Sequence, residues 1–240
     1  DNLCFAHEDI QFDTIGWGEK IIPKLSETDC GVIGFAGTTA RISALCGIGL
    51  SRAHWRSNYI QHMNKGGMKS CFKNPDRVEF SPVVSVDGMC LFVSRKVWQK
   101  VRFDEKTFPN FHLYDLDFTT AVFRAGYINY ICNTVIVEHF SEGYYTQEWL
   151  AATIDFNNKW RDALPLYVSG FPCIKNLDRY VRSREFRFIK AMMKSRGKCS
   201  WELIDGLCRQ YYRKYPFYRS IVVWFHAYRY RKRWKREGRL

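Results

Sequence analysis

Three short stretches of this 240-residue sequence gather side chains that could do chemistry. In "FAHEDIQF" (5–12) an apolar run ends on His7, Glu8 and Asp9. "FHLYDLDF" (111–118) offers His112, Asp115 and Asp117, and "VIVEHFSEG" (135–143) brings His139 to the end of a β-rich run. Carboxylate oxygens and imidazole nitrogens at strand ends suit Mg²⁺ or Mn²⁺, particularly where a substrate phosphate completes the shell. Open α/β sheets place their ligands beyond the carboxyl ends of the strands. An extended backbone through residues 7–9 would turn His7 and Asp9 to one side and Glu8 to the other. Each group also has a plain structural reading. A strand-end Asp commonly forms a turn, and a single His139 can be an ordinary hydrogen-bonded histidine. Asp115 precedes a helix expected to begin near Leu116, where an N-cap contributes about 1 kcal/mol. Asp117 in the first turn would favour the helix dipole. The two are not on one helix face, so one can cap while the other points into a cleft.

The elements that must position these groups follow from the apolar pattern. Residues 3–6 read as a buried strand, 13–31 as a short helix closed by a polar turn, and "GVIGFAGTTA" (31–40) as a second buried strand. Residues 41–79 lack periodicity and are expected to be irregular, mobile or substrate-facing. Residues 78–101 predict strand, a turn around Asp87-Gly88, strand and short helix. A loop (103–115) leads to a helix (117–127) stopped by Gly126. A β-rich run (128–140) precedes a helix over 146–161. Strands alternating with helices imply an α/β fold. Trp55, Tyr59, Phe111, Tyr114, Tyr144 and Tyr145 fall in or near loops where sugar rings could stack. Aromatics make up 17% of the chain, so most must be core. His54 and His62 read as solvated or structural.

Composition narrows the class. The nine cysteines are scattered with no C-x-x-C pair, which argues against a zinc ribbon or a dithiol redox site. They read as small core residues in a reducing, cytoplasmic compartment. No run of about 18 apolar residues is present to span a bilayer. Residues 1–170 carry 17 Lys/Arg against 19 Asp/Glu, whereas residues 171–240 carry 20 against 5. A nearly neutral part, expected over 1–165, is therefore followed by a strongly basic extension over 166–240.

Five motifs in order, "FAHEDIQF" (5–12), "GVIGFAG" (31–37), "VDGMCLFVSRKVW" (86–98), "FDEKTFPNFHLYDLDF" (103–118) and "VIVEHFSEG" (135–143), resemble the bacterial GT-A glycosyltransferases related to family 2. The resemblance is nearest to a subgroup with H-x-D in place of D-x-D, and it covers about residues 3–161. It implies a GT-A mixed sheet whose nucleotide-binding front portion precedes this sequence. It also implies transfer of a sugar from a nucleotide-diphosphate donor, uridine diphosphate for choice, to a saccharide or lipid-linked hydroxyl, with inversion, in bacterial polysaccharide or glycolipid assembly. By the same resemblance Asp9 and His139 hold Mn²⁺ or Mg²⁺ and Asp115 is the base. Asp87, Gly88, His112 and Asp117 line the donor or acceptor.

Residues 171–240 are expected to be helical, broken near Gly197-Lys198 and Tyr215-Pro216. "PFYRSIVVWFHAYRYRKRWKREGRL" sets an aromatic-apolar stretch before a cationic run. It reads as an amphipathic helix packed on the catalytic part, as a peripheral anchor on an anionic membrane, or, with no supporting motif, as a nucleic-acid contact. Two other functions remain open at this level. One is a non-catalytic GT-A remnant binding lipid or nucleic acid through the basic end. The other is a metal-dependent phosphoester hydrolase.

Overall fold

The structure, a computed structural model, describes residues 1–48, 53–143, 146–194, 199–216 and 219–239. In chain order the elements among them are β1 (Asn2–Ala6), β2 (Ile10–Phe12), α1 (Trp17–Leu25), β3 (Cys30–Gly34), β4 (Ala36–Thr38), β5 (Ala40–Arg41), β6 (Trp55–His62), β7 (Met68–Lys73), β8 (Phe80–Val83), β9 (Ser85–Val86), β10 (Cys90–Ser94), α2 (Arg95–Lys100), α3 (Tyr114–Arg124), β11 (Ile128–Cys132), β12 (Val137–His139), α4 (Gln147–Trp160), β13 (Leu166–Tyr167), α5 (Leu177–Lys194), α6 (Trp201–Lys214) and α7 (Arg219–Arg236). The chain is mixed α/β, as expected.

One sheet has the order β1-β10-β3-β11-β8 and a second the order β2-β12-β6-β4-β9, with β7 paired to β6; β13 and β5 form a small ribbon. The β11–β3 and β12–β6 pairs are parallel and the other strand pairs antiparallel. Four chain runs pass from the first sheet to the second: β1 to β2 through His7–Asp9, β3 to β4 through Phe35, β8 to β9 through Val84, and β11 to β12 through residues 133–136. The run from β9 to β10 returns through Asp87–Gly88–Met89. Their apolar side chains build two cores. Ile21, Leu25, Ile33, Phe35, Phe92 and Val137 share one, and Val32, Leu91, Val93, Phe118, Val122 and Ile131 the other. Burying each such side chain contributes roughly 1.5–3 kcal/mol.

Four expectations change. The first strand is half exposed rather than buried, because β1 lies at a sheet edge and only alternate residues face inward. Residues 41–79 contain the longest strand of the second sheet, β6, and its partner β7. They turn at Gly66 and Gly67, both with φ near +87°; residues 49–52 of this segment lie outside those described. The run 128–140 divides into β11 and β12, which serve different sheets. Helix α3 begins at Tyr114, after Leu113 at φ 63°, so Asp115 sits inside the first turn and is not its N-cap. Gly126, at φ 93°, follows the helix as expected.

By compactness the chain divides into Asp1–Ile42, Gly47–Gly143 and Trp160–Cys173 as one unit, and Ser43–Cys46, Tyr144–Lys159 and Ile174–Leu240 as the other. Residues 147–159 of α4, expected with the catalytic part, thus group with the C-terminal helices. In that second unit α4, α5, α6 and α7 enclose Leu150, Phe188, Ile189, Met192, Ile204, Leu207, Val223 and Trp234. Helix α6 ends at Lys214, matching the break predicted near Tyr215-Pro216; Gly197 and Lys198, where the other break is expected, lie outside the described residues. Ser200 caps α6 by accepting from the Leu203 N–H at 3.4 Å. The cysteines are free thiols: Cys30, Cys46, Cys90, Cys132, Cys199 and Cys208 are buried, but Cys4 and Cys173 are exposed. No described helix is long and apolar enough to cross a membrane.

Candidate functional site

Where β1 hands over to β2, a turn places His7 and Asp9 on one side and leaves Glu8 exposed. The separation of faces expected for a strand is therefore achieved by a turn. The backbone fixes both ends of it. The His7 N–H donates to the Met89 carbonyl (3.0 Å) and the Phe140 N–H donates to the Asp9 carbonyl (3.0 Å). Antiparallel pairing of β12 with β2 sets His139 opposite Ile10 and so beside Asp9. Asp9 Oδ1 lies 3.6 Å from His139 Nε2 and 3.8 Å from His7 Nδ1. The three donor atoms are all within 4.8 Å of one another. Ligands sharing one ion at about 2.1–2.3 Å can be no farther apart than about 4.6 Å, a limit both Asp9 separations meet.

The protonation pattern of His139 follows from Gln61. The Gln61 Nε2 donates to the carbonyls of His62 (3.0 Å), His139 (3.2 Å) and Ser141 (2.8 Å), so the amide nitrogen faces those acceptors. Its Oε1 is then turned to His139 Nδ1 at 3.2 Å, which must donate. Nε2 is left as the lone-pair nitrogen, buried and without a hydrogen-bond partner. Burial, reinforced by His7 and opposed by Asp9, holds the His139 imidazole below its usual pKa and therefore neutral. Partial burial pulls Asp9 upward, but the Ser141 hydroxyl and the two imidazoles outweigh it and bring its carboxyl below the ordinary value. The Tyr114 hydroxyl stands 3.4 Å from His7 Nε2, the ring nitrogen that does not face Asp9.

A second group lies on the 87–89 turn that also holds His7. The Gly88 N–H donates to Asp115 Oδ2 at 2.7 Å, and Asp87 Oδ1 accepts from the Met89 N–H at 3.2 Å. Burial and then the Asp87 carboxylate push Asp115 up to about 6, against the N–H donors that favour its ionised form. Burial also raises Asp87. Thr119, one helical turn after Asp115, donates from Oγ1 to the Asp115 carbonyl (2.8 Å) and accepts from the Val86 N–H (3.1 Å), tying α3 to β9.

The structure thus brings Asp9 and His139 together, and separately Asp87, Gly88 and Asp115. Asp117 goes elsewhere: it is buried and accepts from the Trp160 indole at 2.8 Å, a packing role in place of the expected substrate contact. His112 is half-buried with its ring 5.6 Å from that of Phe111, an exposed ring that lies 5.4 Å from His7. His54 pairs with Thr39 (3.0 Å), and His62 with Glu138 beneath the Phe140 ring, so both are structural as expected. Trp55 and Tyr59 pack on the first core; Tyr144 and Tyr145 lie outside the described residues. The reading of the sequence missed Gln61, Ser141 and the full part played by His7. Only His7 had a visible signal, its two-residue spacing from Asp9.

No protein-family model matches the chain, and no curated protein does.

Proposed function

We propose that the chain is a metal-dependent glycosyltransferase of GT-A type, moving a sugar from a nucleoside-diphosphate donor, with uridine diphosphate as the carrier, to an acceptor hydroxyl. The observation that carries this reading is the buried, unpartnered Nε2 of His139 facing Asp9. A polar atom left so would cost about 1–3 kcal/mol unless something binds there. Two imidazoles and one carboxylate fit a divalent ion, and nitrogen donors favour Mn²⁺ over the strongly oxygen-selective Mg²⁺. Held by His7, Asp9 and His139, such an ion would offset the charge growing on a leaving diphosphate. Asp115 takes the proton of the incoming hydroxyl. A carboxyl raised to about 6 is largely ionised at neutral pH yet more basic than an ordinary aspartate, which suits a general base. Exposed Phe111 offers a face for a sugar ring.

The test is thermal unfolding of the chain with Mn²⁺, with and without uridine diphosphate, repeated on Asp9→Ala, alongside acceptor-dependent release of the diphosphate from a sugar donor. Saturation at about 100 times Kd adds about 2.7 kcal/mol. For a chain of this size that is a rise of roughly 5–10 °C. The rise should need both ligands and vanish in the variant. Release of free sugar or phosphate without any acceptor would overturn transfer in favour of hydrolysis.

A further inference from the structure

Helix α7 has two faces of unlike chemistry. Its inner face supplies Val223 and Trp234 to the second unit's core, with Ala227 and Tyr230 packed against it, and the Trp234 indole donates to the Met193 carbonyl at 3.2 Å. Its outer face carries Ile221, Trp224, Phe225 and Tyr228, which are 64%, 59%, 50% and 56% exposed. Those positions are spaced i, i+3, i+4, i+7, so they form one continuous stripe along the helix. Trp224 and Tyr228 stack at 5.9 Å with their planes 14° apart, which lays the two rings flat in one row. Continuing the same spacing reaches Lys232 and Lys235, both exposed, with Arg229, Arg231 and Arg236 beside them. The helix holds no Asp or Glu.

We propose that the outer face of α7 is a docking surface for an anionic lipid bilayer, on which the helix lies in the plane of the headgroups. These four large apolar side chains are exposed to water, and residues 220–228 carry no Lys or Arg; Arg229 follows, its guanidinium 5.7 Å over the Phe225 ring. Trp and Tyr suit the headgroup boundary because each joins an apolar ring to a polar tip. The cations follow at the carboxyl-terminal half, where they would meet lipid phosphates, each strengthening binding about fivefold near the surface. The helix is too polar to span the bilayer, which leaves the interface. A nucleic-acid surface would instead interleave its rings with the cations along a strand-tracking groove. This inference does not depend on the transferase reading.

The experiment is co-sedimentation of the chain with phosphatidylcholine vesicles with and without phosphatidylglycerol, at low and at physiological salt, for the parent, W224A/F225A and K232A/K235A. Circular dichroism and melting temperature serve as the folding control, since all four side chains point away from the core. The expected result is binding to the phosphatidylglycerol vesicles only, weakened roughly tenfold or more by removal of the two rings. Removing the two lysines should weaken it by about tenfold or more as well. Absence of vesicle binding by the parent overturns the proposal. So does vesicle binding indifferent to W224A/F225A, which would reduce it to diffuse charge attraction. Tighter binding of single-stranded RNA than of vesicles, lost in the same ring variant, would reassign the face to nucleic acid.

Discussion

The Gly88 N–H and the Asp115 carboxylate meet at 2.7 Å, and a Cβ on Gly88 would stand 2.8 Å from the Asp115 Cβ. The absence of a side chain at 88 is therefore what lets the acid approach the 87–89 turn. Gly88→Ala should push α3's first turn away from that turn and cost about 1–3 kcal/mol in overpacking. Transfer should fall by roughly 100-fold through misplacement of the base. At the proposed metal site, Mn²⁺ binding, read by electron paramagnetic resonance, should persist, because Asp9 and His139 lie on other segments and His7 meets the 87–89 turn through its backbone N–H.

Asp115 also links stability to pH. Its folded-state value of about 6 lies above the ordinary value of 3.8. Between those values the unfolded chain has lost the proton while the folded chain keeps it, so stability falls as pH rises through this window and is constant above it. Asp115→Asn keeps an acceptor for Gly88 and removes the buried charge. The variant should be more stable than the parent by about 1–3 kcal/mol at pH 8, with the gain vanishing below pH 3.8. Its transfer rate should drop about 10²–10⁴-fold. Urea unfolding across pH, paired with activity, checks both halves.

Gln61 should control metal affinity without touching the ion. Gln61→Leu leaves His139 Nδ1 without its acceptor and should weaken Mn²⁺ binding about 10–100-fold, as loss of outer-shell partners does. Gln61→Glu keeps an acceptor facing Nδ1 and should retain most of the affinity. Isothermal titration of the two variants separates orientation of the imidazole from simple loss of packing, since both lose the amide donor.

The scaffold has its own polar anchor in Asn129. It is fully buried, donates to the Val84 (2.8 Å) and Thr119 (2.7 Å) carbonyls and accepts from the Val32 N–H (3.0 Å). These bonds join β11, α3 and β3. Asn129→Ala strands three buried backbone groups and should cost about 3 kcal/mol or more, measured by denaturant unfolding. Gly31 is matched to it: a Cβ there would come within 2.6 Å of Asn129 Oδ1.

The buried strand β3, the helix stop at Gly126 and the break near Tyr215-Pro216 were legible because local pattern and local structure agree there. Strand β6 was hidden by its own polar residues. Arg56 is buried and satisfied by Asp76 at 2.6 Å and by the Ala53 and Trp55 carbonyls, and Asn58 donates to the Val135 carbonyl at 2.8 Å. Those partners are distant in sequence or lie on the backbone, so a window of the chain reads the segment as a loop. The same concealment removed Gln61 from view. Asp115 misled for a related reason: capping is a local expectation, whereas its partner Gly88 is remote and α3 starts a residue earlier than the acid. His7, Asp9 and His139 stood out because each marks the end of an apolar run.

The pairing of β2 with β12 has a consequence for how the protein comes into being. Residues 7–9, 61, 88, 115 and 139–141 are joined through contacts of high sequence separation, among them the β2–β12 ladder and the Gly88–Asp115 hydrogen bond. Such contacts assemble slowly and late. A nascent chain that has not yet presented Phe140 to Asp9 has every strand of the first sheet but no site. The side chains of His7 and Asp9, near the start of the chain, thus meet His139 only after the chain has been extended by about 130 residues.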